Sequence, residues 1–152
     1  MSAPASSLVV RTPAGSDFEQ WLPLWTGYNT FYKRTLPDAV TRSTWARLLD
    51  PAEPMHALVA EQDGQLLGLV HYLFHRATAM VEDTCYLADL FTSRAARGKG
   101  VGRRLIEAVY DAARQAGCSR VYWQTHETNA VAQVLYNDVA ERSGFIVYRK
   151  PL

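Results

Sequence analysis

An α/β fold, with one mixed sheet and helices on both of its faces, follows from three observations. The hydrophobic periodicities run in the order β-α-α-β-β-β-α-β-α-β, and three consecutive strands followed by βαβαβ make a mixed sheet. The chain has 152 residues, of which 48% are hydrophobic and 20% charged, which suits one compact domain over residues 1–152. Between a period-two run and a helical run lies a basic, glycine-rich segment, Ser93–Gly102, so a strand feeds a helix through a loop built for a ligand.

The elements follow in order. Residues 1–7 are small and polar and read as a loose tail. Leu8–Arg11 is a short strand, and Thr12-Pro13-Ala14-Gly15 a turn, with Ser16 or Asp17 as N-cap. From Asp17 to about Arg34, Phe18, Trp21, Trp25, Tyr28, Phe31 and Tyr32 share one helix face, and Pro23 predicts a kink or a late start. Thr41–Leu49 is a second helix, closed before Pro51. Ala57–Glu61 and Gln65–His75 are strands joined by the hairpin signal Gln62-Asp63-Gly64. Met80–Asp83 is a turn.

Thr84–Thr92 is the next strand. Strict alternation places Tyr86, Ala88, Leu90 and Thr92 on one face and Cys85, Leu87, Asp89 and Phe91 on the other. Val101, Leu105, Ala108, Val109, Ala112 and Ala116 keep a helical stripe that Gly117 ends. Arg120–Gln124 is a strand, Asn129–Arg142 a helix, and Gly144–Lys150 a last strand.

Composition excludes several functions. Sixteen Lys and Arg against 15 Asp and Glu give a net charge of +1, with no overall pull towards nucleic acid or an anionic membrane. Cys85 and Cys118 have no CxxC or Cys/His spacing, so no metal site is expected. No apolar run approaches a membrane span, and MSAPASSLVV lacks the basic start and apolar core of a signal peptide. The expected compartment is the cytoplasm.

The near-neutral total hides a local concentration. Arg94, Arg97, Lys99, Arg103 and Arg104 are five of the 16 basic residues and lie within 11 positions. They surround a helix start, where unpaired N–H groups and the helix dipole favour an anion, here a phosphate or diphosphate. The nucleotide loops fit poorly. Gly98-Lys99 is followed by Gly100 rather than Ser or Thr, and the glycines fall at every second position, late in the chain.

Arg97-x-x-Gly100-x-Gly102 resembles the acyl-CoA pyrophosphate loop of the GNAT superfamily, the Gcn5-related N-acetyltransferases. Downstream, Asn129-x-x-Ala132-x-x-Leu135-Tyr136 and then Gly144-Phe145 resemble the family's next motif, beside the CoA thiol. Tyr86–Phe91 is similar to a strand of the spermidine/spermine acetyltransferases. Val121–Asn129 with Ala132-Gln133-x-Leu135-Tyr136 is similar to the yeast histone and polyamine branch. Ala88 stands where the polyamine enzymes carry glutamate, which weakens a polyamine substrate.

The resemblance implies a mostly antiparallel twisted sheet and direct acetyl transfer from acetyl-CoA to a primary amine, on a polyamine-like molecule or a protein lysine. The other reading is a CoA-binding regulatory module without catalysis. Tyr136 is implied as general acid to the leaving thiolate. An alkyl ammonium, with a pKa of about 10.4, needs a base before it attacks. Asp89 is the candidate if a bulge or a water connects it to the cleft, and His126, Glu127, Glu82 or a water chain compete with it. Leu90, Phe91 and Thr92 are implied to present backbone groups to pantetheine. Arg97, Gly98, Lys99, Gly100, Val101, Gly102 and Arg103 are implied to cradle the pyrophosphate, and Asn129 to bond the pantetheine arm or a water. Trp25, Tyr28 and Tyr32, with Phe31, are the candidate acceptor wall, suited to a cation through their ring faces. A homodimer through the last strands is also implied.

Overall fold

A computed structural model describes residues 7–152. The expected tail therefore lies, but for Ser7, outside the described residues. Five strands form one sheet in the order β1-β2-β3-β4-β5: β1 Val9–Arg11, β2 His56–Gln62, β3 Gln65–His75, β4 Thr84–Thr92 and β5 Val121–Tyr122. The first four pair antiparallel, and β5 joins β4 in parallel. The helices are α1 Phe18–Phe31, α2 Asp38–Leu49, α3 Val101–Gln115 and α4 Ala130–Val139. None is long and apolar enough to cross a membrane.

The two faces of the sheet hold different cores. On one, Val101, Leu105, Ile106, Val109 and Ala113 of α3 pack on Ala60, Val70, Tyr72, Cys85 and Leu87. On the other, Trp21, Leu24, Trp25 and Tyr28 of α1, with Leu48 of α2, pack on Ala57, Val59, Leu66 and Leu69. The α1 rings stack in sequence, Trp21 on Trp25 at 5.7 Å and Trp25 on Tyr28 at 5.6 Å. Gly27 lets α1 come down on the sheet, since a Cβ there would meet the Phe91 ring at 2.8 Å.

Several expectations change. The first long helix does not start late: it runs from Phe18 through Pro23, because one lost backbone bond near its start is outweighed by burying four large side chains before and beyond it. Lys33 takes φ +57°, and the N–H groups of Lys33 and Arg34 reach back to Thr30 (2.9 Å) and Asn29 (2.8 Å). This Schellman pattern ends α1 and fixes where Arg34 emerges. The second helix begins earlier, at Asp38, where Arg42 bonds Asp38 at 2.6 Å.

Strict alternation along β4 is also corrected. His71 of β3 opposes Asp89 but Tyr72 opposes Leu87, so Ala88 is an extra, bulged residue. Cys85 and Leu87 face α3, as does Leu90, whereas Phe91 packs on the α1 side. The bulge thus turns Asp89 onto the α1 face, away from Leu87.

At the far end, β5 is only two residues long, α4 stops at Val139, and Gly144–Lys150 forms no strand. The apolar run is there, but β structure needs a partner's backbone, and Phe145, Ile146, Val147 and Tyr148 stand exposed.

Candidate active site

A gap in strand pairing opens a cleft along β4. The parallel pairing of β4 with β5 holds only at Cys85–Val121 and Tyr86–Tyr122, while pairing with β3 continues to Thr92. From Leu87 to Thr92 the strand therefore has a sheet partner on one side only. Backbone groups of Leu90, Phe91 and Thr92 are available there to an extended ligand arm. The cleft between the strands is lined by Tyr28, Tyr32, Ala88, Trp123, Gln124 and Tyr136.

The loop after β4 is held from below. Ser93 N–H donates to the Leu67 carbonyl at 2.8 Å, Ala96 is buried, and Val101, the first residue of α3, is buried against Gly68. Between these anchors Gly98 and Gly100 both take φ +80°, a conformation that side chains disfavour. Gly100 caps α3 and leaves the first N–H groups of the helix pointing out of its end. Gly102 lies near Leu135 and Thr92, so α4 and the end of β4 flank the loop.

The basic side chains divide. Arg97 lies over the Phe91 ring at 5.8 Å, Arg103 pairs with Asp138 at 3.0 Å, and Arg104 is tied to the Leu8 carbonyl at 3.2 Å. Lys99 is exposed on the loop. A diphosphate at this helix start meets backbone donors first and Arg97 and Lys99 next.

Tyr136 of α4 meets the Trp123 ring edge-on at 5.4 Å and lines the cleft. Burial, with Tyr32 nearby, pushes its phenol up to about 12, so it keeps its proton at neutral pH. Asp89 is largely buried, and its Oδ2 lies 3.0 Å from Nδ1 of His71. Burial first, and then the Asp89 charge, raise the Tyr28 phenol well above its ordinary range. The Tyr28 hydroxyl donates to the carbonyl of bulged Ala88 at 3.4 Å. Tyr28, Tyr32 and Tyr136 thus line the cleft, and Asp89 adjoins it through Tyr28.

Other expected residues stand elsewhere. Trp25 is buried between Trp21 and Tyr28 and is part of the α1-face core. His126 is exposed on the loop after β5, its Nδ1 accepting from the Thr128 hydroxyl at 2.8 Å. Asn129 occupies the N-cap position of α4, but its side chain donates to Thr125 at 3.2 Å rather than capping the helix. Glu82 and Glu127 are exposed. Sequence reasoning missed Arg34, which is exposed with its guanidinium 5.5 Å from the centroids of both Tyr28 and Tyr32. It also missed His71. The signal for it was a histidine inside an apolar strand, where an unpartnered polar ring is costly.

Residues 18–140 match the family described as "Acetyltransferase (GNAT) family". The chain belongs to that family. It is similar to the D-amino-acid N-acetyltransferase HPA3 of Saccharomyces cerevisiae, 38% identical over 145 residues, which covers 94% of this chain and 90% of that one. It is also similar to the uncharacterized N-acetyltransferase YhfO of Bacillus subtilis, 30% identical over 141 residues, covering 91% and 94%. Among solved structures, the aminoglycoside N-acetyltransferase AAC(6')-Iy in complex with CoA shares the fold. Its TM-score is 0.85 at 18% identity, over 99% of both chains. The GNAT protein described here is an N-acetyltransferase with acetyl-CoA as cosubstrate.

Proposed function

We propose that the acceptor is the primary amine of a small molecule that also carries a carboxylate, such as a free amino acid. Arg34 carries this reading. It covers the ring faces of Tyr28 and Tyr32, and it makes no ion pair among the described residues. A polyamine would find those faces already taken by a like charge, whereas a carboxylate would gain a charge-assisted fork. The name of the yeast relative, which acts on D-amino acids, supports the same class. A protein lysine, with no free carboxylate nearby, draws nothing from Arg34.

In this reading Asp89 takes a proton from the ammonium, and the freed amine forms its bond to the thioester carbon. The carbon–sulfur bond breaks, and Tyr136 gives its proton to the departing thiolate. Asp89 passes the first proton to bulk water and takes the second proton that the nitrogen sheds as the amide forms. Water carries that second proton to Tyr136, so the protein ends as it began and one proton per turnover leaves to solvent. Backbone N–H groups of the loop and the α3 start hold the pyrophosphate, and the unpaired edge of Leu90–Thr92 aligns the pantetheine arm. Dimerisation belongs to the same proposal: the apolar, exposed run Phe145–Tyr148 is surface that a second copy would cover.

The test is thiol release from acetyl-CoA across D- and L-amino acids, their decarboxylated amines, spermidine and a lysine peptide. Amino acids should have the highest kcat/KM. Arg34→Ala should raise KM for an amino acid at least about 10-fold and leave its decarboxylated amine unchanged. Faster turnover of spermidine or the peptide would overturn the acceptor assignment.

A further inference from the structure

His71 is an ionisable ring in the middle strand of the sheet, only 3% exposed, and both of its nitrogens are engaged. Trp21, fully buried, directs its indole Nε1 at His71 Nε2 across 3.2 Å. An indole N–H can only donate, so Nε2 must offer its lone pair. The ring's single proton is thereby placed on Nδ1. That nitrogen faces Asp89 Oδ2 at 3.0 Å, opposite the Ala88 bulge.

We propose that His71 is the positioning residue of Asp89: Trp21 locks its tautomer, and its Nδ1–H holds one carboxylate oxygen so that the other is presented to the acceptor amine. The inference rests on the reading of Asp89 as base. Three elements converge to make it. Helix α1 supplies the indole, β3 the imidazole, and the bulge in β4 turns the carboxylate onto their face. Without the bulge, alternation would leave Asp89 on the α3 side with Leu87. Without the indole, the ring could take its proton on Nε2 and turn a lone pair towards a carboxylate, which repels it. In this arrangement the proton exchanged with the substrate is carried by Asp89.

A histidine that merely fills the core with satisfied hydrogen bonds predicts something different, and two substitutions separate the cases. The amide nitrogen of asparagine lies near the place of Nδ1, so His71→Asn keeps the donor to Asp89 and drops the partner of Trp21. The longer glutamine reaches the place of Nε2, so His71→Gln keeps a partner for Trp21 and drops the donor. With amino-acid acceptor saturating, His71→Asn should keep kcat within about 3-fold, and His71→Gln should lower it about 10- to 100-fold, the range seen when a group that orients a functional ligand is lost. KM for acetyl-CoA should stay constant in both. Equal losses, or a larger loss in His71→Asn, would overturn the proposal.

The unmutated protein gives an answer that needs no variant to fold. Nitrogen-15 NMR of labelled histidine should show the His71 ring protonated at Nδ1 and bare at Nε2. A proton on Nε2 would contradict the proposal. Asp89→Asn distinguishes the two layers. If it leaves kcat unchanged, the base assignment fails. If it abolishes turnover while His71→Gln does not, only the His71 role fails.

Discussion

The two faces of the sheet are covered by helices of opposite chemistry. The α3 face is aliphatic and dry at its centre, where Leu105, Ile106 and Val109 are fully buried and have no polar side-chain atom to satisfy; the rings of Tyr72, Tyr110, Trp123 and Tyr136 pack around them. The α1 face is aromatic and carries polar handles: the Trp21 indole, the Tyr28 hydroxyl, His71 and Asp89. Aliphatic packing gives a platform at whose end the start of α3 meets the glycine loop. Aromatic packing also buries large side chains, yet it lets N–H and O–H groups reach into the sheet. In the proposed chemistry one face serves the cosubstrate through the backbone of its loop, and the other serves the acceptor and its proton through side chains.

Breaking the dry face should cost stability and little chemistry. Leu105→Ala should lose about 2–5 kcal/mol in urea unfolding, with kcat of the folded fraction unchanged. A matching loss of kcat would mean that the faces are not separable. Next in size is the junction. Gly100→Val forces a branched residue to φ +80° and should weaken CoA binding about 10- to 100-fold by calorimetry. Normal CoA affinity would disconnect the loop from the pyrophosphate.

Within the cleft, Tyr136→Phe should lower kcat about 10-fold with CoA affinity unchanged, a modest factor because a thiolate is already a good leaving group. The sign of the pH effect follows from the raised phenol. With its proton held up to about 12, Tyr136 stays an acid across the neutral and mildly alkaline range. Its ionisation should then produce no fall in kcat below about pH 10. The smallest effect concerns the thiols. Cys85 is fully buried, and burial pushes it up to about 12, whereas Cys118 is part-exposed. Iodoacetamide should label Cys118 in the native protein and leave Cys85 untouched, as mass spectrometry of the digest would report.

The legibility of the sequence follows the same division. The α3 face could be read from spacing, because an aliphatic stripe at helical period has one way to be buried, and the loop between β4 and α3 announced itself by glycines and charge. The polar part of the α1 face could not. Strict alternation put Asp89 on the wrong face, since an inserted residue at Ala88 leaves no mark in an apolar run. Arg34 was invisible because its place depends on Lys33 adopting a left-handed conformation at the end of α1. The Gly144–Lys150 strand failed for the opposite reason: its local pattern is strand-like, but pairing is a property of two segments.

The proposed chemistry depends on the bulge delivering Asp89 to the acceptor as its base. It is tested most directly by kcat for Asp89→Asn with a saturating amino-acid acceptor, alongside CoA affinity by calorimetry. With Asp89 as the base, kcat should fall about 100-fold or more with CoA affinity unchanged. An Asp89→Asn enzyme that turns over at the rate of the unmutated protein would contradict that role.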